Sequence, residues 1–393
     1  MSRDLTSLDL FCGAGGLSEG FAHSGFRCLY GNDFSSVALT TFSANRSQAV
    51  VDDRPIETIE DESRIRRQLG LRRGELDVLI GGPPCQGFSI NAPSRFLDDP
   101  RNALFVHYLR FVEEFQPKAL AFENVPGILS LGRGEIVERV KDELERRGYS
   151  VSLKVLLAAH YGVPQERWRL VILAGRGPEA PTHPRPTHFA SCRANFRGGR
   201  DLVFRLSEEE AQDIPRTPTV KEAIGDLPRL RVGEGEEVSS YDRPPTSEYA
   251  RAMREESVAL YNHVAGRLSI QNLERLKHIK PGGSWRDIPF DLLPAGMKRA
   301  RRSDHTKRYG RLRPDGLAST IMTKCDPHWG PVFLPDQERA LTVREAARLQ
   351  SFPDRFRFLG SRVEQYRQVG NAVPVLMGRA IATALLDYIE SLP

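Results

Sequence analysis

The chain has 393 residues, 40% of them hydrophobic, with a net charge of +5 and a pI of about 9.0. That apolar content suffices for globular cores, the length exceeds what one core usually holds, and no apolar run approaches the roughly 20 residues that span a bilayer. The five cysteines stand apart at positions 12, 28, 85, 192 and 325 with no Cys-x-x-Cys pair, so neither a disulfide framework nor a cysteine zinc site is suggested, and a reducing cytoplasm is the expected setting.

Met1-Ser2-Arg3-Asp4 leads straight into a strand and does not read as a signal peptide. Residues 5–11 form that first strand, and a glycine turn, Phe11 to Gly16, opens a helix at Leu17. Cys28-Leu29-Tyr30 is a short second strand ending at Asn32-Asp33. Leu76 to Ile80 is branched and leucine-rich, as a buried parallel strand should be. It empties into Gly81-Gly82-Pro83-Pro84-Cys85-Gln86-Gly87-Phe88-Ser89. Two glycines permit a tight turn, two prolines stiffen it, and the loop presents one thiol at a strand's carboxyl end, where α/β sheets place their chemistry.

Leu104 to Phe115 has helical apolar spacing, and Ala119 to Phe122 is a strand ending in Glu123. Ile136 to Arg147 reads as an amphipathic helix, followed by strands at Tyr149–Leu157 and Leu170–Ala174. The alternation predicts an α/β fold with a doubly wound parallel sheet. Near Gly175 the texture changes: residues 178–186 are a proline-rich linker, 234–245 are loop-like, and alternation is lost until about Leu317. Residues 178–316 therefore read as a second domain, with 1–177 and 317–393 forming the first. A helix returns at Leu341–Gln350, and Leu376–Leu392 is an apolar helix suited to packing on the first domain.

Taken on its own, the glycine turn after the first strand lets a nucleotide-like ligand approach the backbone, although it lacks the dinucleotide spacing. Asp33 stands where an acid can accept both ribose hydroxyls, or where it can cap a helix, and Phe34 beside it can stack on adenine. In the second domain, Lys298, Arg299, Arg301, Arg302, Lys307, Arg308, Arg311 and Arg313 crowd one stretch opposed only by Asp304. Such a run is a solvated face or a phosphate-binding surface, and the basic pI permits a polyanionic partner. Trp285, Tyr309 and the histidines at 263, 305 and 328 can stack or hydrogen-bond there, though each can equally serve the core.

Six segments in order carry a resemblance. Pro83-Pro84-Cys85-Gln86 resembles the nucleophile loop of the DNA cytosine-5 methyltransferases, and Asp9 to Leu17 resembles the cofactor loop of that family. Glu123-Asn124-Val125, Gln165 to Arg169, Arg344 to Gln350 and Gly370-Asn371-Ala372-Val373-Pro374 resemble its catalytic acid, arginine and two C-terminal motifs. The matches cover residues 5–177 and 317–390.

The resemblance implies a Rossmann-like methyltransferase sheet with a smaller target-recognition domain, S-adenosyl-L-methionine as cofactor and double-stranded DNA as substrate. It implies that Phe11, Gly13, Gly15, Gly16 and Leu17 line the methionine end, that Asp33, Phe34, Ile56, Pro83 and Leu104 hold the rest of the cofactor, and that Asn371, Ala372 and Val373 close the site. The family's usual Asp-Ile appears as Pro55-Ile56, with Asp53 as a substitute acid. It further implies that Cys85 is a thiolate adding to cytosine carbon 6, that Glu123 neutralises ring nitrogen 3 and that Arg167 bonds the ring oxygen, while Arg169 braces Glu123 or the loop, or is an ordinary salt-bridging arginine. A base in a duplex must be flipped out to meet Cys85, with Ser89 and Arg95 as contacts in the loop that follows and Arg301, Arg302 and Arg308 on phosphates. A bacterial restriction-modification or phage-defence setting follows from the same likeness, with a cognate endonuclease or defence proteins as partners and a monomer on DNA. The alternatives are a tRNA cytosine-5 methyltransferase and a catalytically silent DNA-binding relative of the fold.

Overall fold

Strands rich in buried leucine, isoleucine and valine assemble the main sheet of the computed structural model, which describes residues 5–83, 104–194, 196, 198–204 and 206–392. They are β1 Leu5–Leu10, β2 Phe26–Asn32, β3 Val50–Asp52, β4 Val78–Gly81, β5 Ala119–Asn124, β6 Ser150–Leu157 and β7 Trp168–Gly175. The order across the sheet is β3-β2-β1-β4-β5-β7-β6. Leu8, Leu10, Val78, Leu79, Ile80, Ala119 and Leu120 are all fully buried, the continuous apolar runs of strands covered on both faces.

The expected parallel sheet holds for six strands and fails for one. β7 runs antiparallel to both neighbours, β5 and β6. β6 reaches its place through the helix Glu135–Glu145, a crossover that keeps it parallel to β5. Only residues 158–167 then join β6 to β7, with a short 3₁₀ turn and no crossover helix, so the chain turns back on itself.

The helices of this layer are α1 Gly16–Ala22, α2 Ser36–Asn45, α3 Glu62–Gln68, α4 Leu104–Phe115 and α5 Glu135–Glu145. In α4 the buried residues Tyr108, Leu109, Phe111, Val112 and Phe115 follow helical spacing, and Tyr108 meets Phe122 of β5 edge-on at 5.7 Å. Short α2, β3 and α3 lack a sequence signal strong enough to place them in advance. The last helix, Val375–Ser391, buries Val375, Met377, Ile381 and Leu385 and packs on α1, while its Tyr388 hydroxyl accepts the Gly177 N–H at 2.6 Å. By length and composition the segment Arg362–Ser391 qualifies as a membrane-span candidate, which the sequence reading did not expect. In the fold it forms two helices, Arg362–Asn371 and Val375–Ser391, and 61% of the apolar window is buried.

Packing divides the chain into two compact units, residues 1–162, 167–216 and 373–393 in the first, and 163–166 and 217–372 in the second. Residues 178–216 thus pack with the sheet, and 317–372 pack with the second unit.

The second unit is built from short helices, an antiparallel pair Gly235–Ser239 and Leu260–Val264, and a two-residue parallel contact of Gln165–Glu166 with Ala318–Ser319. One apolar cluster gathers Leu276, Ile279, Trp285, Ile288, Met297, Tyr309 and Phe333. A second core is ionic. Arg348, fully buried on the helix Val343–Leu349, pairs with Asp226 and with Asp354 at 2.6 Å each. On the same helix Glu345 pairs with Arg339 at 2.8 Å; that contact overcomes burial and holds its carboxyl down at about 2. Trp285 and His263 belong to this framework: the indole N–H donates to the His305 carbonyl at 3.1 Å, and His263 lies 3.0 Å from the Thr342 hydroxyl and 2.9 Å from the Pro228 carbonyl.

Candidate active site

Three parallel strands, β1, β4 and β5, end side by side, and each delivers a piece of the site. Past β1 the chain turns through Phe11 and Gly13, both with positive φ, to Gly15 at φ 92°. A Cβ on Gly15 would stand 2.7 Å from the Arg46 guanidinium and 2.8 Å from the Phe42 ring, so only glycine lets the loop settle there. Arg46 locks that loop: it donates to the Gly15 carbonyl at 3.0 Å, pairs with Glu19 at 2.6 Å and lies 5.0 Å over Phe42.

Asp33, just past β2, ties this loop to the next. Its Oδ2 accepts the Gly13 N–H and its Oδ1 the Ser35 N–H, both at 2.9 Å. Burial raises its pKa against the pull of these two bonds. Ser35, not Asp33, caps α2. Phe34 is 70% exposed beside it. Beneath the loop, Asp9 accepts the Ser18 hydroxyl at 2.5 Å, and burial pushes its carboxyl up to about 7. Ile56 is buried at the head of a short 3₁₀ turn, Asp53 is exposed, and Asp52 is engaged by Arg54 at 2.6 Å and by the Tyr30 hydroxyl at 2.8 Å.

At the ends of β4 and β5 the fit is closer still. A Cβ on Gly82 would stand 3.1 Å from Glu123 Oε2. Asn124 donates to the Pro83 carbonyl at 3.1 Å, so the start of the Pro-Pro-Cys segment is clamped to the end of β5. Arg169 on β7 brings its Nε within 2.5 Å of Glu123 Oε1, possible because reversed β7 pairs directly with β5. Arg167 is fully buried; burial and Arg169 press its pKa down while Glu123 raises it. A guanidinium stays charged in proteins, so such a group must be met by anionic or carbonyl partners. Gln165 and Glu166 of the same motif belong to the second unit, where Gln165 donates to the Leu349 carbonyl at 2.9 Å and accepts the Ile321 N–H at 2.9 Å.

Cys85, Ser89 and Arg95 lie outside the described residues. Burial pushes the Cys28 thiol up to about 11 and the Cys325 thiol to about 12, and Cys12 rises well above its ordinary value, so none of these three is a ready thiolate. Leu17 and Pro83 are buried in the first unit, and Leu104 is the first residue of α4. Asn371 ends the helix Arg362–Asn371, Ala372 caps it in the second unit, and Val373 begins the return to the first.

The family described as C-5 cytosine-specific DNA methylase matches residues 5–387. The chain belongs to this family. Its class is that of the DNA (cytosine-5)-methyltransferases, and its fold is the Rossmann-like methyltransferase sheet. The Type II methyltransferase M.AgeI of Thalassovita gelatinovora is 38% identical over 432 aligned positions, covering 97% of this chain and 99% of that one. The Type II methyltransferase M1.HphI of Haemophilus parahaemolyticus is 36% identical over 386 positions, covering 97% and 87%. Among solved structures, a prophage-encoded E. coli protein assigned as a DNA modification methyltransferase superposes with a TM-score of 0.72 at 24% identity, covering 98% of this chain and 100% of that one. Sequence reasoning missed Arg46 in this methyltransferase and took Asp9 only as part of a motif; a buried charge is invisible until its partners are placed.

Proposed function

We propose that the protein transfers a methyl group from S-adenosylmethionine to carbon 5 of cytosine in a specific sequence of duplex DNA. The observation that carries this reading is the clamp at the ends of β4 and β5: Glu123 stands where a Cβ on Gly82 would come within 3.1 Å of its carboxylate and is held by Arg169, and Asn124 grips Pro83, two residues before Cys85.

The first unit fits the cofactor. Asp33 has one lone pair on each oxygen still available after its two backbone bonds, the space off Gly13 is open to 4 Å, and exposed Phe34 offers a stacking face. Asp33 would accept the ribose hydroxyls, Phe34 would cover the adenine, and the turn from Phe11 to Leu17 would line the methionine end. When bound, the cofactor supplies an activated methyl group.

The chain's own residues make cytosine able to take it. Carbon 5 is a poor nucleophile within an aromatic ring. Cys85 as thiolate forms a bond to carbon 6, the ring π electrons shift toward carbon 5, and the base must be rotated out of the duplex for this contact. Glu123 supplies a proton or hydrogen bond at ring nitrogen 3, Arg167 bonds the ring oxygen, and Arg169 keeps the glutamate aimed. After methylation a water molecule takes the carbon 5 proton, the electron pair left behind reforms the 5,6 double bond as the carbon–sulfur bond breaks, and the thiolate is restored. Residues 178–316 are proposed as the region that recognises the target, and Type II relatives support a restriction-modification setting. Labelled methyl transfer from S-adenosylmethionine tests the whole reading: incorporation into duplex DNA is expected, and incorporation into tRNA with none into DNA would overturn it.

The Asp33→Ala variant is expected to bind S-adenosylmethionine at least tenfold more weakly, since charge-assisted hydrogen bonds contribute about 1.5–3 kcal/mol. Titration calorimetry reads this directly. Unchanged affinity would show that Asp33 serves only to hold Gly13 and Ser35.

A further inference from the structure

The protein has three tryptophans, and the fold treats them differently. Trp168 and Trp285 are 8% and 3% exposed, whereas Trp329 in the second unit is 53% exposed. Its ring is held out rigidly. Asp326 Oδ1 accepts the His328 N–H at 2.9 Å and the Asp326 carbonyl accepts the Trp329 N–H at 3.0 Å, forming a tight turn. That turn is pinned to the apolar core, because buried Tyr309 donates its backbone N–H to the Pro327 carbonyl at 2.6 Å. The His328 ring lies edge-on to Tyr309 at 6.2 Å and to Trp329 at 5.4 Å, joining the exposed indole to the buried phenol.

A cation completes the arrangement. The Arg308 guanidinium lies 5.4 Å over the Trp329 ring, and its Nη1 is 3.4 Å from His328 Nε2. Around it the surface is basic: Arg299, Arg301, Arg302 and Lys307 are exposed, the hydrogen bond Arg301 makes to Asp304 uses its backbone N–H, and the 3.6 Å pair of Lys307 with Glu166 is solvent-screened and worth little. An exposed indole fixed in place, with a guanidinium over it and positive charge on its flank, matches a nucleobase attached to phosphates. An apolar protein partner would have to desolvate those charges without compensation. Little ordering is left to be done on binding, because the turn and the ring are already anchored.

We propose that Trp329 and Arg308 form a stacking platform for an unstacked nucleobase of the DNA substrate, with Arg301 and Lys307 holding the adjacent phosphates. This rests on the reading of the protein as a DNA methyltransferase and adds to it a contact made by ring stacking rather than charge.

The test uses the full chain and a duplex carrying one unpaired cytosine. Trp329 being the exposed indole, its emission should be quenched on titration, and the Trp329→Phe variant should lose that quenching while keeping most of the affinity. Trp329→Leu should bind about 5- to 150-fold more weakly with an unchanged salt slope. Arg301→Gln with Lys307→Gln should instead flatten the slope of log affinity against log salt by about 0.9 per lost phosphate contact. Unquenched emission, or wild-type affinity in Trp329→Leu, would overturn the platform. Labelled methyl transfer to genomic DNA by the wild type, run in parallel, separates the two failures: if transfer occurs without quenching, only the platform falls, and if no DNA is methylated, the underlying reading falls and the platform with it.

Discussion

Replacing Cys85 with alanine is expected to abolish methyl transfer while leaving S-adenosylmethionine binding close to wild type. Without a thiolate on carbon 6 the cytosine ring keeps its aromaticity, and carbon 5 has no electron pair to offer. The contacts that shape the neighbouring ground do not involve the thiol: Asn124 still holds the Pro83 carbonyl at 3.1 Å, Arg169 still holds Glu123, and Arg46 still fixes the Gly15 turn. Cys12, Cys28 and Cys325 cannot substitute, because burial keeps their thiols protonated near neutrality. Two measurements decide it. With 5-fluorocytosine in the DNA the wild type should form a complex that survives denaturation, since fluorine cannot leave as the proton does, and the alanine variant should form none. Substantial residual turnover by the variant would end the covalent route, whatever its cofactor affinity.

The second large effect concerns stability. Arg348→Leu is expected to destabilise the protein by about 3–5 kcal/mol, the usual consequence of removing one member of a buried ion network. Arg348 bonds Asp354 through Nε at 2.8 Å and Nη2 at 2.6 Å, Asp226 through Nη1 at 2.6 Å, and the Ala223 carbonyl at 3.0 Å. Its removal leaves Asp226 with Arg254 at 2.5 Å, and Asp354 with the Tyr241 hydroxyl at 2.7 Å and Arg344 at 3.7 Å. Those contacts are retained, but two buried carboxylates then share less positive charge than they need. Arg348→Lys should fall between wild type and the leucine variant, because an ammonium cannot bridge both carboxylates in the planar fork of a guanidinium. Urea unfolding measures the difference, and a loss below about 1 kcal/mol for the leucine variant would mean that the network relaxes around a neutral side chain.

Sequence by itself determined the parts whose signal is local. The apolar runs of β1, β4 and β5 and the helical spacing of α4 report on neighbouring residues, and each stands where its pattern put it. The same pattern placed Glu123 at a strand end and Asp33 just past another. Only the tertiary structure decided which groups meet. The reversal of β7, which sets Arg169 against Glu123, follows from a short connection that no periodicity records. Arg348 stands out in sequence only as part of a helical motif, yet its partner Asp226 lies 122 positions away. Trp285 and Trp329 look alike as aromatics near a basic run, and packing alone buries one and exposes the other. The physical reason is common to all three. Hydrophobic periodicity says which face of an element seeks the core, but ion pairs, strand direction and exposure depend on contacts between distant segments, whose energies exist only once the chain has closed around them.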